Sequence, residues 1–207
     1  MNCKKYYLIY VFFLSSLLSF SQGNIDGKDY LVTINTDFGK IKLILFEDTP
    51  LHKENFINLS KAGVYDHIIF HRVINHFMIQ TGDYTTRNEQ INYDPRVIQS
   101  PIQAEILPHH LHVHGAIGTA RSGDDVNPER KSNSTQFYII QNRTGAHHLD
   151  NKYTVFGQVM SGYEVIDSIA IQPTSERDRP LSNMRITVDV DQVSRSDIEK
   201  FYNFTYK

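Results

Sequence analysis

One cysteine, Cys3, is the chain's whole stock of thiol chemistry, and it precedes an apolar stretch with the marks of a removable leader. Once that leader is cleaved no cysteine remains, which excludes disulfides and thiol nucleophiles and leaves stability to a packed core. A dominant charge is missing as well. The formal net charge is -2 over 207 residues, or about -4 without Lys4 and Lys5. Neither value provides the electrostatic footprint of a partner for nucleic acid or an anionic membrane. The apolar run from about Tyr6 to Leu18 is shorter than the roughly 20 residues of a spanning helix. No G-x-S-x-G, no phosphate-binding glycine loop, no HExxH, no internal repeat and no low-complexity tract is present.

What is present begins with Lys4 and Lys5, the apolar run, then Ser19 and Ser21. That order is a secretory signal peptide over residues 1–21, with cleavage after Ser21 and a short linker over 22–29. The protein is therefore expected to be exported, with the periplasm or cell envelope as its destination and no integral membrane segment after cleavage. With 40% apolar residues, residues 30–191 suffice for one core and one domain, expected to act as a monomer.

"YLVTINTDFGKIKLILFE" (30–47) alternates apolar and polar on either side of Asp37-Phe38-Gly39-Lys40, a hairpin signature. "TPLHKENFINLSKAG" supplies Thr49 as N-cap, Pro50 at the first helical position and Gly63 past the end. Three further strand-length runs follow, "GAIGTA", "TQFYIIQ" and "KYTVFGQVM", then a helical "GYEVIDSIA" and a closing strand "MRITVDVDQV". Many strands and two helices point to a mainly β fold, a closed antiparallel barrel whose ends the helices cap, since closure removes exposed edges. The tail, 192–207, pairs Ser196 with Glu199 as a capping box and sets Ile198, Phe201 and Tyr202 on one face, a short helix docked on the barrel.

"FHRVINHFMIQTGD" (70–83) places Arg72 inside a run that otherwise reads as buried strand. An unpaired guanidinium is costly to bury, so Arg72 either points to solvent or has its charge put to use. The apolar residues around it ordinarily build core.

That stretch, "STQFYII" and "HLDNKYTVFGQVMSGYEVIDSI" resemble, in order and spacing, the three signature blocks of the cyclophilin family of peptidyl-prolyl cis-trans isomerases, over about residues 30–190. The resemblance implies an eight-stranded antiparallel barrel with two capping helices, X-Pro isomerisation in proline-containing polypeptides, and no cofactor. It puts Arg72 in the catalytic role and Phe77, Met78, Tyr138 and Leu149 around the proline ring. Gln80 and Gln136 then hold the substrate backbone, Ala120 and Arg121 form the strand edge beneath it, and His148 and Tyr153 complete the groove.

Four positions depart from the family's best-known members: Tyr138 replaces phenylalanine, His148 tryptophan, Tyr153 histidine and Arg121 asparagine. Arg121 is expected to add a cation that favours acidic residues beside the proline. The loop from Ser122 to Thr135 is longer than in compact members; of the two roles open to it, shaping substrate access or being merely solvated, its reading here is the solvated one.

Two other readings compete. One keeps the barrel as a proline-peptide binding module with little turnover. The other is a metal-dependent enzyme built on His110, His112 and His114, which a strand would present to one side. With no accompanying carboxylate motif, and with the resemblance placing them in a variable surface segment, no metal is expected. Asn58, Asn133, Asn142 and Asn203 each begin an N-x-[ST] sequon, and a glycan on Asn133 would crowd Gln136, so the sequence favours a bacterial envelope over a glycosylating route.

Overall fold

The computed structural model describes residues 27–88, 94, 98 and 100–206; the expected leader and most of the linker lie outside the described residues. β1 (Lys28–Thr36) and β2 (Gly39–Leu45) form the opening hairpin, with Ile34 opposite Ile41. Gly39 takes φ 129°, a value that L side chains rarely adopt, as the turn requires. α1 (Pro50–Lys61) follows, then β3 (Arg72–Ile74), β4 (Met78–Thr81), β5 (Ala116–Thr119), β6 (Phe137–Ile140) and β7 (Val155–Ser161). α2 (Tyr163–Ala170), β8 (Ile186–Ser194) and α3 (Arg195–Tyr202) complete the described elements.

The eight strands form one antiparallel sheet in the order β3-β4-β6-β5-β7-β2-β1-β8. The expected closure is not supported, because no ladder joins the outer strands β3 and β8. β3 is three residues long, too short to pair along β8. The segment before it bridges the gap locally, with Ile69 opposite Arg185 and hydrogen bonds from Phe70 N to Met184 O and from Ile186 N to Ile68 O.

Alternation divides the side chains. Val32, Ile34, Ile41, Leu43, Ile79, Phe137, Ile139 and Phe156 point into the main core, where Phe56 of α1, Tyr65 and Ile166 of α2 meet them. Phe56, Tyr65 and Phe137 pack with ring centroids 5.0 to 5.6 Å apart. Burying each such ring contributes up to about 3 kcal/mol. The opposite faces of β4 and β6 carry Met78, Tyr138 and Ile140 into a second, smaller cluster with Ala116, Ala146 and Val155, bordered by Phe46, Phe77 and Leu149.

Helix ends differ from the expectation. Thr49 occupies the N-cap position of α1 without capping through its side chain. Instead Glu105, remote in sequence, accepts from the backbone of Leu51 and His52 at 3.0 Å each. Ser194 caps α3 and accepts from Asp197 N, two residues earlier than the expected Ser196–Glu199 box. The tail docks through Ile198, fully buried, and through Tyr206, whose hydroxyl donates to Asp29; Phe201 is 67% exposed and takes no part in the docking face.

His52 is 1% exposed, with Nδ1 2.6 Å from Glu105 Oε2 and Nε2 2.9 Å from Ser132 Oγ. Burial pushes its pKa below the ordinary value and outweighs the pull of Glu105 in the other direction. His71 moves the same way, chiefly through burial. Unfolded, these imidazoles take up a proton near pH 6.5; folded, they resist it until lower pH. Stability from their neutral forms is thus present above about pH 6.5 and lost as pH falls, by up to about 1.4 kcal/mol per unit for each group. Urea midpoints at pH 7.5 and 5.5 check this: the lower pH should give the lower midpoint, and an unchanged or higher one contradicts the assignment.

Candidate active site

The outward face of the sheet puts four residues from four strands in one row. Arg72 of β3 lies opposite Gln80 of β4, Gln80 opposite Tyr138 of β6, and Tyr138 opposite Gly118 of β5. Gly118 is required there: a Cβ would lie 2.5 Å from the Tyr138 ring and hydroxyl. In the next row Ile74 lies opposite Met78 and Met78 opposite Ile140. The period of two that buries Val73 turns Arg72 outward, which answers the puzzle of a guanidinium in an apolar run.

These rows open onto a groove of about 780 Å³. Arg72, Phe77, Met78, Gln80, Ala120, Arg121, Gln136, Tyr138, Leu149 and Tyr153 all line it. His148 does not; it is exposed, with its ring 5.5 Å from that of Phe77 at the rim. Six residues of the loop from Ser122 to Thr135 also line the groove: Ser122, Val126, Asn127, Lys131, Ser132 and Asn133. The loop is therefore a wall of the groove rather than a solvated excursion. Polar composition concealed this. The one available signal was the sequon asparagine: Asn133 Oδ1 accepts from Thr135 N and Gln136 N at 2.9 and 2.8 Å, folding the loop back onto β6.

Arg72 is 44% exposed at the side chain, and Nε lies 3.4 Å from Asp178 Oδ2. The Asp178 carbonyl also accepts from Val73 N at 2.8 Å, so the loop before β8 holds both the arginine's Nε and the backbone of the next residue. Among the described residues only Nε is engaged, which leaves the terminal nitrogens to the groove. Gln80 Nε2 donates to Gln136 Oε1 at 3.1 Å, tying the two amides together across the floor.

Arg121 does not provide the free cation expected of it. Its side chain is 5% exposed and its guanidinium bonds Asp124, Ser122 O and Lys152 O while stacking 4.4 Å from the Tyr153 ring. Charge neutralised by Asp124 has little left with which to select an acidic substrate. Ala120 lines the groove, but its N–H donates to Gln136 O and its carbonyl accepts from Asn133 N.

Beneath Tyr138 runs a buried chain of hydrogen bonds that sequence reading missed. His112, 0% exposed, directs both its backbone N–H and Nδ1 at Asp150 Oδ1, 2.7 and 2.9 Å away, and its Nε2 lies 2.9 Å from the Tyr138 hydroxyl. A neutral imidazole has one donor and one acceptor nitrogen, so Nδ1 donates to Asp150 and Nε2 accepts from Tyr138. Burial lowers the pKa of His112, despite Asp150, and pushes the Tyr138 phenol up. The three alternate histidines accordingly do not form one face, because no strand covers residues 109–114. His110 turns to Asp48, His112 to Tyr138, and His114 packs 4.6 Å from the Tyr163 ring.

An apolar pocket, a half-free guanidinium and a paired amide floor can grip a peptide and place positive charge beside one of its bonds. No nucleophile paired with a base lines the groove among the described residues. Residues 31–190 match the family model "Cyclophilin type peptidyl-prolyl cis-trans isomerase/CLD". Peptidyl-prolyl cis-trans isomerase-like 3 of Homo sapiens is 38% identical over 157 residues, 75% of this chain and 91% of that protein. Peptidyl-prolyl cis-trans isomerase 10 of Caenorhabditis elegans is 34% identical over the same shares. A crystal structure of a Cryptosporidium parvum cyclophilin type isomerase superposes with TM-score 0.68 at 26% identity, covering 80% of this chain and 98% of that one. A second structure of that protein, in the presence of the dipeptide ala-pro, gives TM-score 0.66 over 78% and 98%. The family match starts in β1, ends in β8 and takes in every strand around the groove, so the chain belongs to the cyclophilin-type peptidyl-prolyl cis-trans isomerases.

Proposed function

We propose that this isomerase turns over X-Pro bonds in unfolded or flexible polypeptides outside the cytoplasm, with Arg72 as the group that stabilises the twisted amide. The observation that carries the assignment is Arg72 itself, fixed through Nε and open to the groove opposite Phe77, Met78 and Leu149.

Rotation about an X-Pro bond is slow because amide resonance sets a barrier near ~20 kcal/mol. At the transition state resonance is lost and a lone pair localises on the prolyl nitrogen. A preorganised cation beside that nitrogen stabilises the twisted state more than either planar isomer, with no proton transferred and no covalent bond formed. Arginine suits the role because it stays charged and presents a planar fork of donors. Phe77, Met78, Tyr138 and Leu149 hold the prolyl ring by apolar contact, while Gln80 and Gln136 fix the flanking backbone, so that one bond rotates and the rest of the peptide does not. The dipeptide ala-pro reported with the Cryptosporidium parvum relative is the chemistry this pocket would take. Nothing in the step calls for a metal or cofactor.

Export rests on the lysine pair, apolar run and small residues before Gln22, and native prolyl isomers are reached slowly enough to limit folding there. N-terminal sequencing of the protein from an envelope fraction should begin at Gln22; an intact Met1 would refute the leader. The activity is tested by exchange NMR of a short X-Pro peptide with untagged protein. Accelerated cis-trans exchange is the expected result. Saturable peptide binding without acceleration would instead make the groove a binding module.

A further inference from the structure

On the turn after β2, away from the Arg72 row, two imidazoles converge on one carboxylate. His109 Nε2 lies 2.7 Å from Asp48 Oδ2 and His110 Nε2 lies 2.7 Å from Asp48 Oδ1. One potential ligand atom from each residue falls within 4.8 Å of the others. From this convergence we infer that Asp48, His109 and His110 form a binding site for a single borderline divalent cation, zinc being the fitting choice, with the remaining coordination position open to water. The inference is independent of the isomerase assignment.

Three observations support it. The residues are adjacent in sequence at 109 and 110, yet both present the same nitrogen, Nε2, to the same acceptor, with ring centroids 4.3 Å apart. An ion pair requires only one of them. His110 is held in place: its side chain is 14% exposed and its ring stacks on Phe46 at 4.1 Å and 15°. Two imidazoles and a carboxylate are the donor set for which zinc has high affinity, and three protein ligands leave the fourth tetrahedral position free.

Donor atoms 2.7 Å apart must spread to about 3.3 Å to surround an ion with bonds near 2.0–2.1 Å. Asp48 and His109 are 47% and 64% exposed at the side chain, so small rotations in water accomplish this without disturbing the core. The bound ion would tie the turn before α1 to the segment leading towards β5. Phe46, against which His110 stacks, also packs on the cluster of Met78 and Tyr138 that Phe77 and Leu149 border, so the cross-link would buttress the back of the groove.

The test is calorimetric titration of chelator-treated, untagged protein with zinc chloride. Wild type should bind one equivalent, and thermal midpoints should rise with zinc, since a ligand bound only by the folded state stabilises it. Asp48→Asn and His109→Ala should each weaken binding by more than about tenfold, the loss of a direct ligand exceeding that of an outer-sphere partner. His114→Ala, outside the trio, should bind as wild type. Circular dichroism of each variant confirms folding, since the substitutions fall on exposed or half-buried positions. No saturable binding by wild type overturns the inference and leaves an ion-pair cluster. Binding that survives Asp48→Asn and His109→Ala, or that is lost in His114→Ala, overturns it too, by moving the ion elsewhere.

Discussion

Arg72→Ala should slow catalysed cis-trans exchange of an X-Pro peptide by at least about tenfold while leaving the thermal midpoint nearly unchanged. Tenfold corresponds to about 1.4 kcal/mol at the transition state, a modest requirement for a cation beside a localised lone pair. The stability half follows from the geometry. The side chain is 44% exposed and its ion pair with Asp178, itself 41% exposed, is long at 3.4 Å; surface pairs of this kind contribute about 0–1 kcal/mol. Val73, next to it, carries the burial. Arg72→Lys keeps the charge and loses the fork, so its rate should fall between wild type and alanine. Exchange NMR beside thermal melts for the three proteins decides the matter. If activity and midpoint collapse together, Arg72 is a structural residue; if the alanine variant turns over like wild type, the electrostatic mechanism fails.

What the sequence disclosed and what it withheld divide along a physical line. Local patterns were legible: the hairpin about Gly39, Pro50 at the start of α1, and the alternation that turns Arg72 outward while burying Val73 all depend on neighbours a few residues apart. Interactions that close over long distances were not. α1 is capped by Glu105, at a separation of 53 residues from His52, and no reading of Thr49 reveals it. Arg121 reads as a cation in the groove, yet the Lys152 carbonyl, 31 residues away, and the adjacent Tyr153 ring hold its guanidinium against Asp124. A run of Ser, Asn and Asp from 122 to 135 has the composition of solvated loop, but Asn133 folds it against β6 and makes it a wall. The barrel's closure was inferred from the general cost of free edges, whereas the short β3 leaves an opening beside β8 that strand count alone does not reveal. Ten residues that the resemblance named nevertheless line one cavity, and for Arg72, Met78, Gln80 and Tyr138 the reason is local, since the spacing within "FHRVINHFMIQTGD" and "STQFYII" fixes strand register and hence face.

Tyr138→Phe should separate the two properties in the opposite sense, costing stability and sparing most of the activity. The substitution keeps the aromatic ring that faces the proline pocket and removes only the hydroxyl, whose proton goes to His112 Nε2 at 2.9 Å. His112 cannot compensate. Its Nδ1 is committed to Asp150 and it is 0% exposed. A buried acceptor left without a partner costs about 1–3 kcal/mol, read as a lower urea midpoint at pH 7.5, where His112 is neutral in both states. Turnover should fall by less than about threefold, since the apolar face of the ring, not its polar tip, holds the prolyl group. An unchanged midpoint would show that the chain Asp150–His112–Tyr138 is not under tension and carries no stability. A large loss of turnover in a stable Tyr138→Phe protein would place the hydroxyl on the substrate side, and the pocket would then be read as one that recognises a peptide carbonyl as well as a proline ring.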